Sequence, residues 1–234
     1  MNKIIKTLMF TGLLSTFALT GCDMLNKISN LGNDSEEGEK AELPYTSTQA
    51  KANFKAEGLE NGIEVDYVTF NDNDEDENFT VGLKGNMLWQ YDEEGNKHVA
   101  LLDENNVLKT YEYNFETNVY ELKSDPLEDG ADEFELAINS YCTMFYQYSQ
   151  YEDSHNFKKI KDLTFAGRSA GEYRYTLNAV LVKVDITFII DNELGITLRW
   201  DVEGKAFTGE GDSGAAYEVT EIRTGNQIAV PVVE

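Results

Sequence analysis

From Gly62 onward the apolar side chains recur at every second residue, and this alternation confines the chain to antiparallel sheet. Ile63, Val65 and Tyr67 alternate with Glu64, Asp66 and Val68; Phe79, Val81 and Leu83 alternate with Thr80, Gly82 and Lys84. Met87, Trp89 and Tyr91 follow, and then Tyr111, Tyr113 and Phe115. Such a period of two fits strands with one buried and one wet face. Glu94-Gly95-Asn96, Glu104-Asn105-Asn106 and Glu116-Thr117-Asn118 separate the runs as hairpin loops. Past the middle of the chain Tyr173, Tyr175 and Leu177 resume the pattern. Val180, Val182, Val184, Ile186, Phe188 and Ile190 then make its longest regular apolar face. A turn at Asp191–Gly195 leads to Ile196, Leu198, Trp200 and Val202, and a last strand is expected over Ala215–Arg223.

One long helix interrupts the strands. Between Asp132 and Gln150, Phe134, Ile138, Tyr141, Phe145 and Tyr148 return at helical spacing, with Asp129 and Asp132 available at the N-terminus. Cys142 lies on this apolar stripe and reads as a buried, inert thiol. A short helix over Thr46–Phe54, begun by Thr46 or Ser47, is also expected.

The N-terminus sets the address. Lys3 and Lys6 precede an apolar run from Leu8 to Leu19 that is too short to span a bilayer comfortably, and Leu19-Thr20-Gly21-Cys22 closes it. This ending resembles the lipobox of bacterial lipoproteins. The resemblance implies that residues 1–21 are a signal peptide, and that Cys22 carries lipid and starts the mature chain. It also implies a protein held on the extracytoplasmic face of the cell membrane. An ordinary secretory signal with a chance cysteine, or an uncleaved anchor, are the other readings. Residues 22–44, with Asn33-Asp34-Ser35-Glu36-Glu37-Gly38-Glu39-Lys40, are polar and aperiodic and read as a flexible acidic tether. Residues 45–234 are expected to form a single β-rich domain. With Cys22 lipidated, Cys142 is a lone thiol and no disulfide can form within the chain.

With 19 Lys and Arg against 43 Asp and Glu, the formal charge is −24. No basic stripe offsets this, so nucleic acid is excluded as a partner. Asp72, Asp74 and Asp76 match the first alternate ligands of a calcium loop, but Glu77 stands where glycine is needed and Leu83 where the bidentate glutamate belongs. The run reads as a charged hairpin tip, and no metal or other cofactor is expected. His98 and His155 are the only histidines, and neither lies in a catalytic motif, so the chain is not expected to be an enzyme.

The remaining signal is aromatic: 13 Tyr and 12 Phe, many in phase on the strands. A sheet lined by them can hold an apolar ligand, or the rings are simply core. Three stretches resemble lipoproteins of LolA/LolB-like fold: Phe79–Trp89, the Tyr111–Asn114 strand before the middle helix, and Phe188–Asp191 running through Leu194-Gly195 into Leu198-Arg199-Trp200. The ending Tyr217–Ile222 with Val230-Pro231 fits the same scheme. That resemblance implies an α+β, mostly β fold: a curved antiparallel sheet, an open half-barrel, with one main helix packed on its concave face. It further implies a lipid or other hydrophobic ligand, lined by Tyr67, Val81, Leu83, Trp89, Tyr111, Tyr113, Val184, Phe188 and Trp200. The competing expectation is a non-enzymatic surface module with a filled core, meeting partner proteins or cations through acidic loops.

Overall fold

A computed structural model describes residues 42–70, 76–178, 182–206 and 213–233. The signal segment, Cys22, the expected tether up to residue 41 and Asn71 to Glu75 of the acidic run lie outside the described residues, while Leu43 near the tether's end packs on the core and Glu42 O accepts from the Tyr173 hydroxyl at 3.2 Å. The elements run α1 (Ser47–Glu60), β1 (Ile63–Thr69), β2 (Glu77–Lys84), β3 (Met87–Asp92), β4 (Lys97–Leu102), β5 (Leu108–Asn114) and β6 (Val119–Leu122). There follow α2 (Ala131–Tyr141), a 3-10 stretch (Thr143–Gln150), β7 (Phe157–Phe165), β8 (Arg168–Asn178), β9 (Val182–Asp191), β10 (Thr197–Ala206) and β11 (Ser213–Thr224). The strands hydrogen-bond in the order β6-β5-β4-β3-β2-β1-β11-β10-β9-β8-β7.

This order corrects the half-barrel expectation. The eleven-stranded sheet is open, ending at β6 on one side and β7 on the other. Among the described residues no single main helix covers it; the helical residues form three separate segments, with a further 3-10 turn at Gly225–Gln227. The long helix expected over Asp132–Gln150 breaks for a local reason. Asn139, Ser140 and Thr143 each turn a side-chain donor onto the carbonyl four residues back, at 2.8–3.0 Å. Such back-bonding competes with the helix ladder and bends it. The helix ends at Tyr141, and the 3-10 stretch is itself kinked at Tyr146 (φ −127°, ψ 25°).

α1 is longer than its sequence suggests because its buried stripe consists of Ser47, Ala50, Phe54 and Gly58, mostly small residues that carry little hydropathy signal. Its start is a reciprocal capping box: Gln49 N–H donates to Thr46 Oγ1 (3.3 Å) and Thr46 N–H to Gln49 Oε1 (2.9 Å). Glu152 adds a distant cap, accepting from Ser47 N–H and Ser47 Oγ at 2.7 Å each. A carboxylate there neutralises the positive helix end. Replacing Glu152 with Ala is expected to cost about 1–2 kcal/mol, and with Gln less, as read from urea midpoints.

The described residues fall into two compact units. In the unit formed by the described residues of Met1–Ala50 and Met144–Glu218, the core holds Tyr148, Tyr151, Phe157, Tyr173, Tyr175, Ile186, Phe188 and Ile190. The rings interlock: Tyr151 lies 4.6 Å from Tyr175 and 5.6 Å from Phe188, and Phe157 meets Phe188 edge-on at 5.8 Å. The β9–β10 turn is held by Asp191, whose side chain is fully buried and takes Arg168 on both oxygens, at 2.5 and 3.3 Å. Its Oδ1 also accepts from the backbone of Glu193 (2.9 Å) and Leu194 (2.6 Å).

In the unit comprising Lys51–Thr143 and Val219–Glu234, the sheet is covered on both faces. β1 shows it: Ile63, Glu64 and Val65 are consecutive and all buried, so the alternating wet face expected there is absent. On one face Gly58 of α1 lies so close to Leu83 that an added Cβ would stand 2.5 Å from Leu83 Cδ2. α2 packs there against β4 and β5 through Phe134, Ala137 and Ile138. On the other face the C-terminal segment lays Ile228, Val230 and Val233 over Trp89, Val99 and Tyr111.

Candidate functional site

Registers assign the nine candidate lining residues to their faces. Val65, Val81, Gln90, His98 and Glu112 form one cross-strand row, and Ile63, Leu83, Leu88, Ala100 and Thr110 another. With Tyr67 opposite Phe79, these rows put Tyr67, Val81 and Leu83 on the helix-covered face. The row Glu64, Gly82, Trp89, Val99, Tyr111 lies on the opposite face, and Tyr113 shares the phase of Tyr111. The six residues of this unit therefore lie on two sides of one sheet. Val184, Phe188 and Trp200 belong to the other unit and are brought together, with Phe188 stacked on Trp200 at 6.2 Å and 12°. The Trp200 indole N–H is buried without a hydrogen-bond partner, as are Gln90 Oε1 and Thr197 Oγ1.

The tail-covered face carries the chemistry that sequence reading missed. At β1 and β11 sits a partly buried acid–base cluster centred on the buried Glu64. Arg223 Nε meets Glu64 Oε1 at 2.8 Å, and its Nη2 meets Asp66 Oδ2 at 2.7 Å. Arg223 also bonds Glu221. Trp89 Nε1 donates to Glu64 Oε2 at 2.8 Å, and Thr80 Oγ1 to Asp66 Oδ1 at 2.7 Å. The indole reaches across β2 because Gly82 lies beneath it; a Cβ there would be 2.0 Å from the ring. Burial opposes the Arg223 charge, but the Glu64 and Asp66 carboxylates outweigh it and hold the guanidinium above its ordinary value. The period-two pattern assigned Glu64 to a wet face. Only the pairing of strands distant in sequence, which sets Arg223 beside it, and the Trp89 indole bury Glu64.

Further along the same face is an aromatic shelf. Lys97 Nζ stands 4.7 Å from the Tyr113 ring centroid and 5.5 Å from that of Tyr91. Tyr113 meets Phe115 and Tyr120 edge-on at 5.1 Å each, and the Tyr91 and Tyr120 hydroxyls are 3.4 Å apart. Burial pushes both phenols up, so they remain neutral hydroxyls at physiological pH.

Cys142 is buried, and burial pushes its thiol up, away from the thiolate a nucleophile requires. Burial, with Lys123 nearby, moves His98 below the ordinary histidine value. Among the described residues no group of three His, Cys, Asp or Glu side chains is placed to hold a metal ion. No described helix is long and apolar enough to cross a membrane.

No protein-family model and no curated protein matches this chain. Comparison with solved structures gives matches of low identity and low TM-score. MucB, in its crystal structure with MucA(peri), is 10% identical with a TM-score of 0.33, covering 78% of this chain and 57% of that one. The chain thus spans little more than half the length of that protein. An uncharacterized conserved protein from Thermus thermophilus is 10% identical with a TM-score of 0.35, covering 77% of this chain and 88% of that one. A putative outer membrane lipoprotein-sorting protein domain from Vibrio parahaemolyticus is 10% identical with a TM-score of 0.26, covering 80% and 94%.

Proposed function

We propose that this chain is a non-enzymatic, extracytoplasmic interaction module, tethered to the membrane through lipid on Cys22 and a linker over residues 22–44. The observation that carries the reading is where the aromatic residues lie. Val184, Phe188 and Trp200 pack with the Tyr148, Tyr151 and Phe157 core. The remaining candidates are divided between two covered faces of one sheet. This favours a filled core over a shared apolar cavity. The recognition surface is then the carboxylate-rich exterior and what the strands leave open at their margins. A protein of charge −24 attracts partners that carry cationic segments.

The test has two arms. Exchange of Cys22 for Ser should move the protein from the membrane fraction to the soluble exported fraction. Native mass spectrometry of that soluble form should give the mass of the polypeptide alone. Photo-crosslinkers placed in intact cells at loop positions Glu94 and Glu116 should give discrete protein adducts. A stoichiometric co-purifying lipid, or cross-linking that yields no adduct at either position, overturns the reading.

A further inference from the structure

We infer that the open edge of β6 receives an extended cationic segment of another polypeptide, which adds a strand to the sheet; this rests on the interaction-module reading and gives it a site. The backbone comes first. Lys123 N–H bonds Thr110 O, so residues 123 and 110 are a hydrogen-bonded pair. Alternation then makes Tyr111–Leu122 and Tyr113–Tyr120 the non-hydrogen-bonded pairs. The N–H and C=O of Tyr120 and Leu122 therefore point away from β5, toward the side where the strand order ends.

The two edges of the sheet differ in how they are guarded. β7 presents exposed Lys158, Lys159 and Lys161 and a register irregularity between the last two, the usual devices against strand addition. The four residues of β6 contain no lysine, proline or irregularity; Lys123 follows directly, its ammonium tied to Glu112 Oε2 at 2.8 Å. Exposed apolar side chains gather there instead: Phe115 is 56% exposed, and Val119 and Leu122 are each 48% exposed.

The chemistry of the occupant follows from the two faces. Tyr120 and Leu122 lie on the shelf side with Tyr111 and Tyr113, so an incoming strand places apolar side chains beside them. Glu121, exposed on the other face with its Oε1 held by Asn114 Nδ2 (2.8 Å) and Thr117 Oγ1 (3.2 Å), favours a lysine or arginine between those apolar positions. The occupant is thus a strand alternating apolar and basic residues. A second copy of this chain would set Glu121 against an equally acidic hairpin.

The test uses the soluble exported form and a fluorescent synthetic peptide of alternating valine and lysine, followed by anisotropy. Saturable binding is expected, weakened about tenfold or more by Leu122→Lys and by Glu121→Lys, with unchanged thermal melting. A proline at the centre of the peptide should abolish binding, because it removes an N–H that the edge must receive. Glu133→Lys, an equal charge change on α2, should leave binding within about twofold. The proposal is overturned if the β6 variants bind like the parent, if the proline peptide binds equally, or if sedimentation shows a dimer that Leu122→Lys dissociates. In-cell adducts that survive the β6 variants would overturn this edge and leave the interaction reading intact. Loss of all adducts from the parent protein would overturn the reading itself.

Discussion

Replacing Asp191 with alanine is expected to destabilise its unit by about 3 kcal/mol, because it takes the buried carboxylate away from a partly buried guanidinium and from two turn amides. The carboxylate is fully buried and fastens three things at once: Arg168 at the start of β8, and the Glu193 and Leu194 amides of the β9–β10 turn. Alanine leaves two inward-pointing amides without their acceptor, and leaves Arg168 only the exposed Glu193 carboxylate at 2.8 Å. Asparagine keeps an acceptor for the turn but not the charge, so Asp191→Asn should fall between the parent and Asp191→Ala. Thermal unfolding should register the alanine variant as a midpoint lowered by on the order of 10 °C. A loss of less than about 1 kcal/mol would show that the turn is held by its backbone alone. Those backbone bonds are Asp191 N–H to Ile196 O (2.9 Å) and Gly195 N–H to Asp191 O (3.0 Å).

The second large effect concerns Arg223. Exchange for methionine keeps much of the side-chain volume but removes the cation that faces Glu64 and Asp66. Glu64 is 5% exposed and would keep only the Trp89 indole as a donor. Breaking such a pair from one side is expected to cost about 3–5 kcal/mol. The double variant Arg223→Met with Glu64→Gln should recover a large part of that loss. A neutral amide still accepts from Trp89 and no longer leaves a charge buried. Chemical denaturation of the four proteins in this cycle measures the coupling. Simple additivity of the two changes would mean that the cluster is solvated and carries no such penalty.

Much of the strand content was legible because β-structure writes itself locally. Ile63-Val65-Tyr67, Phe79-Val81-Leu83 and Ile186-Phe188-Ile190 all lie in strands as their alternation implies. β7 was not legible, since Phe157–Phe165 holds three lysines and its side chains are mostly exposed. The helices fared worse for opposite reasons. α1 buries small residues that carry no periodic signal, while α2 stops although the apolar spacing runs on through Phe145 and Tyr148. In the second case side-chain hydrogen bonds to the backbone prevail over the hydrophobic stripe.

The sequence by itself determined an antiparallel β architecture, a large excess of acidic over basic side chains, and a thiol set among apolar neighbours. These follow from period, composition and nearest neighbours along the chain. Which residues share a face was decided only by the tertiary structure. Phase within a strand is local, but phase between strands depends on register, and one residue of shift moves a side chain through the sheet. That is why Val81 and Trp89, both in step with their own strands, stand on opposite sides. It is also why Glu64, written as a wet residue, is buried against Arg223, a residue 159 positions away.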